Sequence, residues 1–189
     1  MKRKKNLGFT MIELLIVIAV LGVLAVAVLS AINPIEQINR GRDTGSRSDA
    51  EQLLSAVDRF YASMGYYPWQ TSADDLLNET TAWGDVDDTW LAVDDGSMVL
   101  ESLSSGGTAE IKTSFVTRIT GSGYNTLMKY NRGTQGDSTY ICFTPKSGSF
   151  KEEALGRCVD DTCAGLPGDL EAAGCAILCN ADDPMICLP

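Results

Sequence analysis

MKRKKNLGFTMIELLIVIAVLGVLAVAVLSAI, residues 1–32, opens the chain. Four consecutive cations, Lys2, Arg3, Lys4 and Lys5, precede Gly8, and an almost unbroken apolar run follows from Phe9 to Ile32. As a helix this run is about 36 Å long, enough to cross a hydrocarbon core of about 30 Å. The basic cluster predicts that the end before it stays cytoplasmic. Glu13 interrupts the run, and a carboxylate costs roughly 2.5–3.5 kcal/mol at mid-bilayer, less near the interface. A group that costly is a functional candidate, and its partner has to be identified.

The basic leader, Gly8, the sequence Phe9-Thr10-Met11-Ile12-Glu13 and the apolar helix after it resemble the class III signal of type IV pilins and related pseudopilins. The resemblance implies that a membrane-embedded prepilin peptidase cuts after Gly8 and methylates the new amine of Phe9. It implies that Glu13 neutralises the N-terminal amine of a neighbouring subunit during assembly. Met11 stands where leucine is commoner, a change that keeps volume and an unbranched Cβ. The likeness is specific over residues 1–32, reaches to about residue 69 and says little about the rest.

Elementary chemistry points the same way. A new amine on Phe9 would be a second costly charge near lipid, and Glu13 lies four residues on, on the same helix face. Glu13 can pair with its own amine or with a neighbour's, and the second choice sets the register of a helical stack. Two other readings compete. An ordinary secretory signal would use Ala25-Val26-Ala27 as its cleavage site and start the mature chain at Val28. A plain single-span anchor would let Glu13 snorkel to the interface. The coincidence of Gly8, Phe9 and Glu13 with the leader charge favours the pilin-like reading.

The 189 residues carry a formal charge of −10. The leader holds four of the 15 cations and no acid, so the rest carries a side-chain charge of about −14. Such a surface disfavours direct nucleic-acid binding, which needs Lys and Arg to displace counterions. It favours solubility or cation binding between stacked subunits. Histidine is absent from the chain, which removes the commonest general base together with His-dependent triads and zinc sites. GxSxG, HExxH, P-loop and GxGxxG patterns are absent as well, and no carboxylate pair stands apart as acid and base. The sequence therefore predicts no enzyme and no cofactor.

The six cysteines, Cys142, Cys158, Cys163, Cys175, Cys179 and Cys187, all lie in the C-terminal quarter. Beyond a membrane span with a cytoplasmic N-terminus they face an oxidising side, where an even number argues for disulfides. Sequence does not select among the pairings. Zinc is the rival, through Cys158-x4-Cys163 and Cys175-x3-Cys179, but neither is the usual CxxC spacing.

Along the chain, residues 1–8 form a cleaved leader and 9–32 a membrane and filament-core helix, with Gly22 a weak point in the span. Asn33-Pro34 predicts a kink rather than a stop. In pilins a glycine or proline in this part of the helix is associated with local unwinding in the filament, which the resemblance carries to Gly22 and Pro34. Residues 33–69 read as an amphipathic half-helix that continues through, or restarts near, Ser48. Its apolar face is Ala50, Leu53, Leu54, Val57, Phe60, Tyr61 and Met64; its solvent face includes Asp49, Glu51, Gln52, Asp58 and Arg59. Gly65 and Pro68 end it.

Residues 70–108 form a variable connecting region, with a short helix expected around Asp74-Asp75-Leu76-Leu77. Its acidic, Trp-containing part (Trp83, Asp85, Asp87, Asp88, Trp90, Asp94, Asp95) reads as a solvated loop with two packed indoles. A Ca²⁺ site is the sharper alternative, without EF-hand spacing. Residues 109–144 predict three antiparallel strands, Ile111–Ile119, Tyr124–Tyr130 and Thr139–Thr144, with one face against the 50–64 helix. Residues 145–189 predict one or two helical turns at Phe150–Leu155, then a disulfide-tied loop region pinned to the sheet through Cys142.

The expected class is α+β: a long N-terminal helix packed on a small antiparallel sheet, with a disulfide-rich C-terminal region. The resemblance implies a type IV pilus subunit that spans the membrane until an inner-membrane assembly platform and its ATPase draw it into an extracellular homopolymer or mixed pilus. The globular domain would serve adhesion, motility or DNA uptake. A pseudopilin of type II secretion is the alternative, and a membrane-anchored or secreted enzyme the remote one.

Overall fold

A computed structural model describes residues 8–70, 72–74, 83–87, 90, 98–105, 109–131, 138–158, 163 and 165–189. The chain divides into two compact units, Met1–Gln37 and Ile38–Pro189. The first contains α1 (Met11–Ala31) and the opening residues of α2 (Pro34–Met64). At Ile32 the backbone leaves the helix (φ −99°, ψ 125°), and α2 starts on Pro34. The expected kink is thus a break. The residue before a proline is driven out of the α region, while proline itself suits the first helical position.

In the second unit α2 runs without interruption from Ile38 through Gly41 and Gly45 to Met64. A restart near Ser48 does not occur, because side chains tie the glycine-containing stretch to a distant segment. Asp43, fully buried, accepts from the backbone N–H groups of Lys146 (2.9 Å) and Ser147 (2.8 Å) and from the Ser147 hydroxyl (2.6 Å). Arg40 donates to the Ser149 hydroxyl at 2.7 Å, and Arg47 pairs with Glu153. Tertiary bonds offset the helix cost of two glycines, about 1 kcal/mol each. Gly65, in the left-handed region at φ 79°, ends the helix, and its N–H bonds to the Tyr61 carbonyl at 2.8 Å.

Among the described residues the sheet has four antiparallel strands in the order β1 (Trp83–Asp85), β2 (Leu127–Tyr130), β3 (Tyr140–Phe143) and β4 (Ile186–Leu188). Two of the three expected strands are present; the third, Ile111–Ile119, is instead the helix α4 (Thr113–Ile119). Its β-branched residues suggested a strand, but its buried side chains, Ile111, Phe115 and Ile119, recur every fourth residue, a helical period. The outer strands come from outside the stretch assigned to the sheet: β1 from the supposed solvated loop and β4 from the chain's end. The short α3 (Val99–Ser104) packs Val99, Leu100 and Leu103 inside.

Alternation along the strands divides the interior in two. Leu127, Ile141, Phe143 and Ile186 join Ala50, Leu53, Val57 and Phe60 of α2 in one cluster. Tyr130, Tyr140, Cys142 and Cys187 join Leu170, Leu178 and Met185 in the other. The second face is therefore covered, not solvated. Its cover is α6 (Gly168–Leu178), an element in a stretch read as loop, and α5 (Gly148–Leu155) precedes it. Tyr140 donates to the Asp169 carboxylate at 2.9 Å and Tyr130 to the Asp169 carbonyl at 2.9 Å, which anchors the start of α6.

The α2 faces need one correction each. Tyr61 and Met64, expected inside, are exposed. Asp49, expected in solvent, is buried and pairs with Arg118 of α4 at 2.6 Å. Burial pushes its carboxyl upward in pKa, and Arg118 offsets part of that shift.

Candidate functional site

Among the described residues of the N-terminal unit none is buried: no residue of α1 is buried, and Phe9 is 77% exposed. An apolar helix without cover needs lipid or other helices as its surroundings. Among the described residues, α1 is the one helix long and apolar enough to cross a membrane. It runs unbroken through Gly22, where a Cβ would meet nothing within 4 Å. The local unwinding that the resemblance implies at Gly22 concerns the helix within a filament.

At the head of α1, Gly8, Phe9 and Thr10 lie outside the helix and are exposed. Thr10 is the N-cap (φ −84°, ψ 150°) and forms a capping box with Glu13. The Thr10 hydroxyl accepts from the Glu13 N–H at 3.3 Å. The Glu13 carboxylate accepts from the Thr10 N–H at 2.8 Å and from its hydroxyl at 2.6 Å. Both carboxylate contacts use Oε2. Thr10 was not among the candidates read from the sequence, although Thr10-x-x-Glu13 followed by an apolar run is the signature of this motif. The box answers part of the cost of Glu13: a carboxylate that accepts two hydrogen bonds from its own chain is less exposed to an apolar medium. It also supplies partners to helix-start N–H groups that lipid cannot satisfy.

The residues around this head match the prokaryotic N-terminal methylation motif over positions 3–29. The segment is a type IV prepilin-like signal. Neither a curated protein nor a solved structure matches the chain. Such a motif supports a pilin-like or pseudopilin reading and implies processing by prepilin peptidase, and the apolar α1 fits a membrane-anchored precursor. It points to a structural rather than an enzymatic protein.

All six cysteines are paired, as Cys142–Cys187, Cys158–Cys179 and Cys163–Cys175. Cys142 and Cys187 are register partners across β3 and β4, with Cα atoms 4.0 Å apart, so the chain's end is pinned to the sheet. Paired sulfurs offer no thiolate to zinc. Of the acidic stretch considered for Ca²⁺, Asp85 and Asp87 are described, in and beside β1. Asp88, Asp94, Asp95 and Gly96 lie outside the described residues, as does most of the helix expected at 74–77. Trp90 is buried, and Trp83 packs against the second cluster. A groove of about 790 Å³ runs between α2 and α4 and is lined by Ser48, Ser55, Lys112 and the Arg59–Glu110 ion pair of 2.7 Å.

Proposed function

We propose that this chain is a structural subunit of a type IV pilus, cut between Gly8 and Phe9, methylated on Phe9 and polymerised through α1. The observation that carries the reading is the methylation motif set on a helix with no buried residue. The exposed stretch 8–10, outside the helix, suits entry of the backbone into a peptidase site. A side chain at Gly8 would meet nothing in the chain itself, so the need for glycine there belongs to the peptidase. Once Phe9 carries a free amine, Glu13 can keep the Thr10 contacts on Oε2 and offer Oε1 to a neighbour's amine.

The polymer grows from the membrane at an assembly platform driven by an ATPase, and the folded unit 38–189 becomes the pilus surface for adhesion, motility or DNA uptake. Three disulfides in that unit support its placement on the oxidising side of the membrane, which the alternative reading, a periplasmic pseudopilin of type II secretion, shares. The test is intact mass and N-terminal sequencing of material sheared from cells. A methylated Phe9 start, six hydrogens light, is expected. A start at Val28, or absence from the sheared fraction, overturns the proposal.

A further inference from the structure

The disulfides occupy two kinds of surroundings. Cys142–Cys187 lies inside the sheet. The other two lie against each other: Cys163 Sγ is 3.0 Å from Cys179 Sγ, although each is bonded elsewhere. The sulfurs of Cys158, Cys163 and Cys179 all fall within 4.8 Å of one another. Cys163 is fully buried, whereas Cys158, Cys175 and Cys179 are half-buried. Cys163 also holds φ 54°, a left-handed conformation that non-glycine residues adopt rarely and keep only where the surroundings enforce it. The fold thus holds the buried sulfur against the bond of its neighbour.

We propose that Cys158–Cys179 and Cys163–Cys175 form a single exchange site for small thiols, in which attack on one bond passes to the other through the Cys163–Cys179 contact. Exchange proceeds by attack of a thiolate on a disulfide sulfur, with release of the second sulfur as thiolate. An external thiolate reaches half-buried Cys158 and forms a mixed disulfide there, releasing the Cys179 thiolate. That thiolate, already in contact with Cys163, forms the Cys163–Cys179 bond and releases the Cys175 thiolate. Cys175 then attacks the mixed disulfide at Cys158, forms Cys158–Cys175 and returns the external thiol. There is no net oxidation or reduction, and the thiol is regenerated.

Chain entropy does not oppose the exchange. Sequence separations of 21 and 12 give way to 16 and about 17, and the stabilisation depends only on the logarithm of loop length. The segment around α6 therefore has two covalent topologies open to it, while the sheet keeps its own bond.

The test uses the full chain in detergent with substoichiometric reduced glutathione, quenched in acid, digested with pepsin and mapped by fragmentation mass spectrometry. Peptides joined through Cys163–Cys179 and Cys158–Cys175 are expected to appear, with Cys142–Cys187 unchanged. Recovery of the original pairs alone, or of glutathione on Cys158 or Cys179 without a Cys163–Cys179 bond, overturns the proposal. Cys175→Ser gives a second reading without added thiol. The Cys163–Cys179 bond should form and leave Cys158 to react with maleimide. A retained Cys158–Cys179 bond beside a free Cys163 counts against the exchange site.

Discussion

Glu13, Asp43 and Lys129 each place charge where water is scarce, and each is answered differently. Glu13 is held by Thr10 within its own chain and, in the proposed polymer, by a neighbour's amine. Glu13→Ala should insert and be cleaved but give little filament; an unchanged sheared yield would sink the pairing. Asp43 is met by backbone N–H groups of Lys146 and Ser147. Asp43→Ala leaves those donors buried without an acceptor and should cost about 2–3 kcal/mol in urea unfolding. Lys129 is fully buried, its ammonium 5.6 Å over the Trp69 ring, and burial lowers its pKa from 10.5 to about 7. Between those two values the unfolded chain binds more protons than the folded one, so stability should rise with pH across that window. Lys129→Met should remove that rise, and unfolding measured from pH 7 to 10 checks it. Glu13 was legible as a charge inside an apolar run, whereas the burials of Asp43 and Lys129 were not: Asp43 sits among polar neighbours, Lys129 alternates with strand residues, and only distant partners bury them. Thr10 is the opposite case: its role rests on local spacing and could have been read.

Among the elements, glycine in a helix shows how propensity and packing divide the outcome. A Cβ at Gly174 in α6 would stand 2.8 Å from Trp83 Cζ2 and 3.1 Å from Leu178 Cδ1. A Cβ at Gly41 or Gly45 in α2 would meet nothing within 4 Å. The same substitution should therefore have opposite signs. Gly41→Ala or Gly45→Ala should stabilise the monomer by up to about 1 kcal/mol, and Gly174→Ala should destabilise it by about 1–3 kcal/mol. Thermal unfolding of the variants in one detergent decides both. The elements misread from sequence fail for a related reason. Ile111–Ile119 carries β-branched residues over a four-residue apolar spacing, and packing of Phe115 and Ile119 against the core decides for the helix. The α6 segment follows Pro167 and holds Gly168 and Gly174, and its cover over Tyr130 and Tyr140 comes from contacts more than 25 residues away in sequence.

For the whole molecule, the question is what holds a unit whose chain end must close its own sheet. β4 pairs with β3, and Cys142–Cys187 locks that pairing over a sequence separation of 45, the longest of the three disulfides. Replacing both cysteines by alanine should lower stability by about 2–4 kcal/mol, read as an earlier urea midpoint. The largest loss should come from this bond if loop length governs; an equal or larger loss from replacing Cys163 together with Cys175 would show that loop length does not govern. The sequence by itself determined the apolar helix, the prepilin-like signal and the α+β class, because charge clusters, hydropathy and cleavage motifs are written in adjacent residues. The tertiary structure alone decided which cysteines pair, which strands flank the sheet, which face α6 covers and which charges are buried. Those outcomes depend on contacts between residues far apart in the chain, whose distances no local pattern records.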